Sequence, residues 1–347
     1  MTAEKTLSIM SLLACEKAIQ QQITLDPCAV KDDAVQLHVG WGADGDFLLG
    51  SEISMASVAS NNPSIRFHFH LFSNDIPRID QQKMVELAEQ YGLKVTLYTL
   101  DNDYFAQLPT NRLWSSAIYY RFIMAEIVAQ TAATMLYLDA DVVCQGDISA
   151  LLDLDLDNHV VAAVPERDAT WWAHQAEVLG CKALAQGYFN SGVMLLNLEA
   201  WRSEAIYEHI LRLAADPQQQ AKLSFYDQDL LNLALVDKKI FLNSVYNTQY
   251  SLNYELNEAK RKKFTSSSIF MHFIGPTKPW HLWGQYPSAQ AFQLAKAHSP
   301  WKGEPLQLPR STYQYRYCYK HLIHQKQTLK GYGYFFRYLL RKLLSRR

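Results

Sequence analysis

The sequence predicts an α/β fold: a mostly parallel sheet forming the middle of three layers, with helices on both faces. Three observations lead to it. Short apolar or alternating stretches recur along the chain, with helix-spaced apolar stretches between them. A length of 347 residues with 49% apolar composition supplies enough material for a large buried core. Charged residues make up 19%, a globular composition that excludes a disordered, collagen-like or coiled-coil chain.

Residues 1–34 are polar and weakly patterned, which predicts a loose N-terminal extension. Its apolar stretch Leu7 to Cys15 is shorter than a membrane-crossing helix and runs into Glu16 and Lys17, so neither a span nor a secretory signal is expected. Leu37 to Trp41 predicts the first strand, and Gly40, Gly42 and Gly45 punctuate the turn after it. Phe47 to Ala59 has helical spacing, and Ile65 to Phe72 alternates as a β-rich second strand. Gln81 to Gln90 predicts a helix, Lys94 to Thr99 a third strand, and Ala117 to Val128 an apolar helix. Thr134 to Leu138 is a buried strand that ends on Asp139; Val160 to Val164 and Val193 to Asn197 predict further strands. In parallel sheets of this kind ligands sit at the carboxyl ends of strands.

Two alternatives fall early. GWGADG at 40–45 mimics a dinucleotide turn, but Trp41 and Asp44 would crowd the pyrophosphate, and a carboxylate against phosphate is unfavourable without a metal. The five cysteines (15, 28, 144, 181, 318) are widely spaced with no Cys-x-x-Cys pair. That spacing argues against a disulfide framework or a zinc ribbon, and fits a reducing compartment.

Asp-x-Asp occurs six times, so the pattern alone says little. Asp139-Ala140-Asp141 differs in context, because it closes the apolar strand Met135-Leu136-Tyr137-Leu138 and precedes Val142-Val143. Two carboxylates at the rim of a core strand repel unless a cation lies between them. A hard divalent ion bridging them to a diphosphate would meet that need; strand-end turn residues are the plainer reading. Four other segments bear on the choice. Tyr188 to Asn197 sets small polar residues before a buried strand, and Tyr226 to Asn232 opens a helix with acids. Met271 to His281 brings an imidazole, a glycine turn and a lysine together, and Gly42 to Phe47 sets acids and an aromatic ring at a strand end.

LYLDADVV, YFNSGVMLLNLEAWR, DQDLLN and HFIGPTKPWH, in that order, resemble glycosyltransferase family 8, over roughly Leu37 to His281. Among its members the chain is similar to the bacterial lipopolysaccharide core glucosyl- and galactosyltransferases. The resemblance implies a retaining, nucleotide-sugar-dependent enzyme of the GT-A fold. Its divisions would be 1–34 as an extension, 35–285 as the catalytic domain and 286–347 as a basic, aromatic membrane-association region. It implies that Asp139, Asp141 and His272 hold Mn²⁺ or Mg²⁺, with Ala140 beside the donor. Lys278 and the Gly275 backbone would grip the diphosphate, and Ala43, Asp44 and Phe47 the uridine. Asp46 stands where asparagine is common in the family. Arg121 matches a basic residue near the donor; Asn190 and Gln228 would line the sugar. Asp227 would bond sugar hydroxyls, with Asp229 a second candidate, and Glu166 and Asp168 compete for one further acidic position. By their residue type alone, Trp171 and Trp172 stand equally for core packing and for faces that take an acceptor sugar. A front-face transfer is expected, with Asp227 or Asp229 as nucleophile in the double-displacement alternative.

From Arg310 onward the chain carries ten Lys or Arg and no Asp or Glu, leaving 23 basic and all 34 acidic residues in the body. Tyr313, Tyr315, Tyr317 and Tyr319 alternate, Gly331 and Gly333 interrupt, and Tyr334 to Leu344 predicts a basic amphipathic helix. Such a helix lies on an anionic bilayer, so attachment to the cytoplasmic face of the bacterial inner membrane is expected. No nucleic-acid module accompanies the patch, and no such partner is expected. Partners would be UDP-glucose or UDP-galactose and the lipopolysaccharide core. A capsule glycan or protein acceptor, and a non-catalytic nucleotide-sugar binder, are the competing readings.

Overall fold

A computed structural model describes residues 14–106, 108, 115–260 and 267–344. Residues 1–13 of the N-terminal extension and 345–347 of the tail lie outside the described residues. An eight-stranded sheet runs in the order β1-β4-β3-β2-β5-β8-β7-β9. Its strands are β1 (Ile19–Leu25), β2 (Leu37–Gly42), β3 (Phe67–Ser73), β4 (Lys94–Leu100), β5 (Thr134–Leu138), β7 (Val161–Pro165), β8 (Phe189–Asn197) and β9 (Lys239–Phe241). The block β4-β3-β2-β5 is parallel throughout. β8 runs antiparallel to both β5 and β7, and β9 returns parallel to β7. A small second sheet orders β10 (Thr248–Gln249), β11 (Phe270–His272) and β6 (Val142–Cys144).

Helices cover both faces, as the alternating pattern requires. Trp41, Phe69 and Leu71 face one apolar layer with Ile53 and Val58 of the Leu48–Asn61 helix. Phe72, Tyr98 and Tyr137 face the other with Phe122 and Met124 of the Tyr120–Val128 helix. Full burial of a large apolar side chain contributes about 1.5–3 kcal/mol, so a sheet buried on both faces dominates the folding energy. β3 is buried at every position, and its alternation places Phe67, Phe69 and Leu71 on one face and His68, His70 and Phe72 on the other.

The extension is where structure and pattern part. Ile19–Leu25 (IQQQITL) is an edge strand antiparallel to β4, with only Ile19, Ile23 and Leu25 among its apolar residues. An edge strand needs little apolar surface, so the glutamines hid it. β6, β10 and β11 span three residues or fewer, too short to show a period. In the tail the alternating tyrosines lie on a helix, Thr312–His324, opened by a Ser311/Gln314 capping box. The two tail glycines do not interrupt the next helix, Thr328–Leu344. A Cβ on Gly331 would come within 2.5 Å of Ile323 Cγ1, so this glycine serves a close helix crossing.

Candidate active site

The two sheets meet at Asp139. At the end of β5 its N–H donates to the Gly192 carbonyl (2.8 Å), and the chain turns so that Val142 N–H returns to the Asp139 carbonyl (3.0 Å). β6 then pairs with β11 with His272 opposite Val142, and Phe273 N–H donates to the Asp141 carbonyl (2.9 Å). Ligand-capable atoms of Asp139, Asp141 and His272 consequently lie within 4.8 Å of one another. His272 Nε2 is 3.2 Å from Asp141 Oδ1 and 3.8 Å from Asp139 Oδ2.

The other imidazole nitrogen, Nδ1, lies 2.9 Å from Asn247 Oδ1. An amide oxygen only accepts, so Nδ1 carries the hydrogen and Nε2 faces the two carboxylates. A lone pair against two anions is unstable; a proton or a cation resolves it. Burial opposes a charged imidazole, yet Asp141 and Asp139 outweigh it and hold His272 above its ordinary value. Burial likewise opposes a charged Asp141, but Lys278 and His272 hold that carboxyl well below the usual range. Lys278 Nζ contacts Asp141 Oδ2 and the Phe273 carbonyl. Two carboxylates and an imidazole with a fixed tautomer are a donor set that fits Mn²⁺ or Mg²⁺.

Arg121 is buried and ties the acids together. It donates to Asp139 Oδ1 (2.8 Å) and to Ser191 Oγ (2.8 Å), and pairs with Asp227 Oδ2 at 3.2 Å. Tyr137 donates its hydroxyl to the same Asp139 Oδ1 (2.8 Å), leaving Oδ2 turned toward His272. Burial pushes the Asp227 carboxyl up to about 7; Arg121 opposes the shift and Asp139 adds to it. Gln228 Oε1 accepts from Ser191 N–H (3.0 Å), so the amide is fixed beside the same strand.

Asp229 does not join them. Its Oδ1 accepts from Gln175 and Tyr188 (2.9 and 2.6 Å), and its Oδ2 from the Ser224 and Phe225 amides (2.7 Å each). With four donors on two oxygens it anchors the helix start, which corrects its candidacy as a sugar ligand or nucleophile. Between the competing acids, Glu166 is buried and accepts from Asn190 Nδ2 at 2.7 Å. Asp168 is exposed and caps the Ala169–Leu179 helix through Trp171 N–H (3.0 Å), so it is a capping residue.

Asn190 Oδ1 accepts from Asn247 Nδ2 (2.7 Å), which completes a buried chain His272–Asn247–Asn190–Glu166. Trp172 donates its indole N–H to the Glu166 carbonyl, and Trp171 lies edge-on to Tyr188 (5.0 Å) under the Arg167 guanidinium (4.9 Å). At the first turn Ala43 is buried, with its N–H on the Phe72 carbonyl (3.0 Å), and Asp44 is half-buried. The exposed Phe47 ring stands edge-on to Trp280 (5.5 Å), with Lys278 Nζ 5.5 Å from its centre. Asp46 pairs with Arg310 from the tail region. Ala140 is buried, and Gly275 holds φ +84°, a left-handed conformation suited to glycine.

Sequence reasoning missed Asn247, Tyr137 and Gly192. Asn247 sits in an irregular stretch with no period to mark it. Gly192 lies so close that a Cβ would come 2.3 Å from His272 Cε1 and 2.9 Å from Asp139 Oδ2. The small residues of YFNSG were the available signal.

Comparison with known proteins bears on the fold and the family. The family model described as glycosyl transferase family 8 matches residues 38–284, and the family 8 C-terminal model matches 286–342. A lipopolysaccharide 1,3-galactosyltransferase of Salmonella typhimurium is 38% identical, covering 95% of this chain and 98% of that protein. The lipopolysaccharide glucosyltransferase WaaO of Escherichia coli is 39% identical, covering 90% and 93%. Among solved structures, galactosyltransferase LgtC with donor and acceptor sugar analogs superposes with TM-score 0.66 at 23% identity, covering 77% of this chain and 99% of that one. That likeness shows the GT-A fold. With one family model spanning all of the sheet after its edge strand β1 and a second spanning the tail, the chain belongs to glycosyl transferase family 8.

Proposed function

We propose that this chain transfers a hexose from UDP-glucose or UDP-galactose to the lipopolysaccharide core, forming an α linkage with retention. The reading rests on the convergence of Asp139, Asp141 and the oriented His272, together with relatives named for glucosyl and galactosyl transfer to lipopolysaccharide. Asp139, Asp141 and His272 would hold Mn²⁺ or Mg²⁺, which supplies positive charge against a departing diphosphate. Gly275 and Lys278 would grip the diphosphate; Ala43, Asp44 and Phe47 would hold the uridine. Arg121 keeps Asp139 and Asp227 in register. Asn190, Gln228, Asp227 and Glu166 would line the donor sugar, with Trp171 and Trp172 on the acceptor side.

The proposed route is front-face attack on the donor. Asp229 has no oxygen to spare, and Asp227 is tied to Arg121. Each donor should be offered with defined truncated core acceptors, and the product anomer read by NMR. Transfer with an α product that stops in EDTA and returns with Mn²⁺ is the expected result. Full turnover after EDTA removes the metal from the reading, a β product removes retention, and a glycosyl group trapped on Asp227 removes the front-face route.

The tail supports a membrane-bound acceptor. No described helix is long and apolar enough to cross a membrane. On the Thr328–Leu344 helix, Leu329, Tyr332, Phe336, Leu340 and Leu343 form an exposed stripe, while Tyr338 and Phe335 pack against Tyr319. Arg337, Arg341 and Lys342 accompany the stripe. Apolar residues with basic neighbours suit an anionic bilayer surface, at about 1 kcal/mol per basic residue. The reading is peripheral attachment at the cytoplasmic face of the inner membrane. Leu340→Glu with Leu343→Glu should abolish binding to anionic liposomes at low salt; unchanged binding would make the stripe incidental.

A further inference from the structure

Far from the acidic rim, three histidines meet near the start of the parallel strands. His38 pairs with His68 across β2 and β3, and His70 follows on the same face of β3. His38 stands five residues before Ala43, about 16 Å along an extended strand. One nitrogen from each ring lies within 4.8 Å of the others. His38 Nδ1 and His70 Nε2 face each other at 3.0 Å. The outer nitrogens have oxygen partners: His68 Nε2 meets Thr96 Oγ1 at 2.8 Å, and His70 Nδ1 meets the Tyr98 hydroxyl at 3.4 Å. His68 and His70 are buried, whereas His38 is half-buried and gives the cluster a side toward solvent.

We propose that His38, His68 and His70 form a second metal site, a three-imidazole centre for zinc or a similar borderline divalent ion. Zn–N bonds of about 2.0–2.1 Å in a tetrahedral site hold ligand nitrogens about 3.3 Å apart. The 3.0 Å contact between His38 and His70 needs to open by only a few tenths of an ångström. Thr96 and Tyr98 occupy the places where oxygen partners orient metal-bound imidazoles. A donor set of nitrogens without carboxylate selects Zn²⁺, Co²⁺, Ni²⁺ or Cu²⁺ over Mg²⁺, unlike the oxygen-rich centre at Asp139. Ligating imidazoles must be neutral, and burial holds His38 down to about 4 and His68 down to about 3. The nearby charges Asp32 and Lys94 pair with each other at 2.7 Å and offset one another. A fourth position remains for water on the His38 side. The ion would tie β2 to β3 and stabilise the folded state by preferential binding.

The test uses the full chain stripped of metal and titrated with Co²⁺, then Zn²⁺. Tetrahedral Co²⁺ bands in the visible range, displaced by one equivalent of Zn²⁺, are expected. They should persist in an Asp139→Asn/Asp141→Asn variant, which removes the other centre. His38→Gln, placed at the half-buried member to spare the fold, should abolish the bands and weaken zinc binding at least about 100-fold. If the bands never form, or His38→Gln leaves them and the zinc affinity unchanged, the cluster is three neutral core histidines and the site does not exist. Neither result depends on transfer activity, so the proposed reaction stands or falls separately.

Discussion

At the rim of the sheet Asp139, Asp141 and Asp227 sit among Arg121, His272 and Lys278, each acid within reach of a basic group. Inside the Leu48–Asn61 helix, Glu52 is 2% exposed and its Oε1 meets no hydrogen-bond partner among the described residues. Burial raises both Asp141 and Glu52, yet the two carboxyls end on opposite sides of their ordinary values. Asp141 is held low because opposite charges outweigh its desolvation. Glu52 is pushed well above its ordinary value by burial and the Asp80 charge, and Lys83 does not compensate. Desolvation acts on both; the neighbours decide whether the acid stays charged.

The largest expected effect breaks the compensated region. Asp141→Asn should lower kcat/KM by about 10³-fold while circular dichroism stays unchanged, because the lost charge serves the reaction. Activity near the native level would mean the pairing is only structural. Gly192→Ala leaves every charge in place but pushes a Cβ against His272 and Asp139. A loss of about 10²-fold in kcat would show that placement matters as well as charge. Asn247→Ala should weaken metal binding roughly 10- to 100-fold, read by isothermal titration without substrate, since His272 loses the partner of its Nδ1.

Glu52→Gln tests the other region and should move only stability. The folded state keeps this proton longer than the unfolded chain does, so native stability falls as pH rises above the ordinary value of 4.5. The amide removes that dependence. At pH 8 it should add about 1–3 kcal/mol by denaturant unfolding, with no such gain at pH 4. A parallel pH slope in both proteins would mean that Glu52 does not titrate in this window.

Much of the rim was legible in the sequence because its acids end or follow buried elements. Tyr137-Leu138-Asp139 is an apolar strand meeting a charge, and Phe270–His272 leads into Gly275 and Lys278. Neighbouring acids were harder to separate. Asp227 and Asp229 lie about 200° apart around one helix, so one meets Arg121 and the other the Tyr188 hydroxyl. Glu166 and Asp168 divide at a strand end, one buried beside Asn190 and one capping the next helix. Composition and spacing do not record those directions. Asn247 was invisible because its role comes from contacts distant in sequence, with Asn190 and His272. The strand β1 was hidden by its own glutamines.

Buried His321, on the Thr312–His324 helix, meets Asn253 Oδ1 at 2.9 Å, Thr277 Oγ1 at 3.2 Å and the Tyr286 hydroxyl at 2.8 Å. Thr277 precedes Lys278, so the first tail helix braces the lysine loop while the last helix carries the outward stripe. A shortened chain ending after Gln327 keeps His321 and its partners, but sheds the stripe together with the packing of Gly331, Phe335 and Tyr338 on the first tail helix. Cutting at residue 311 would unseat Lys278 as well, so a dead truncation there would say nothing about lipid.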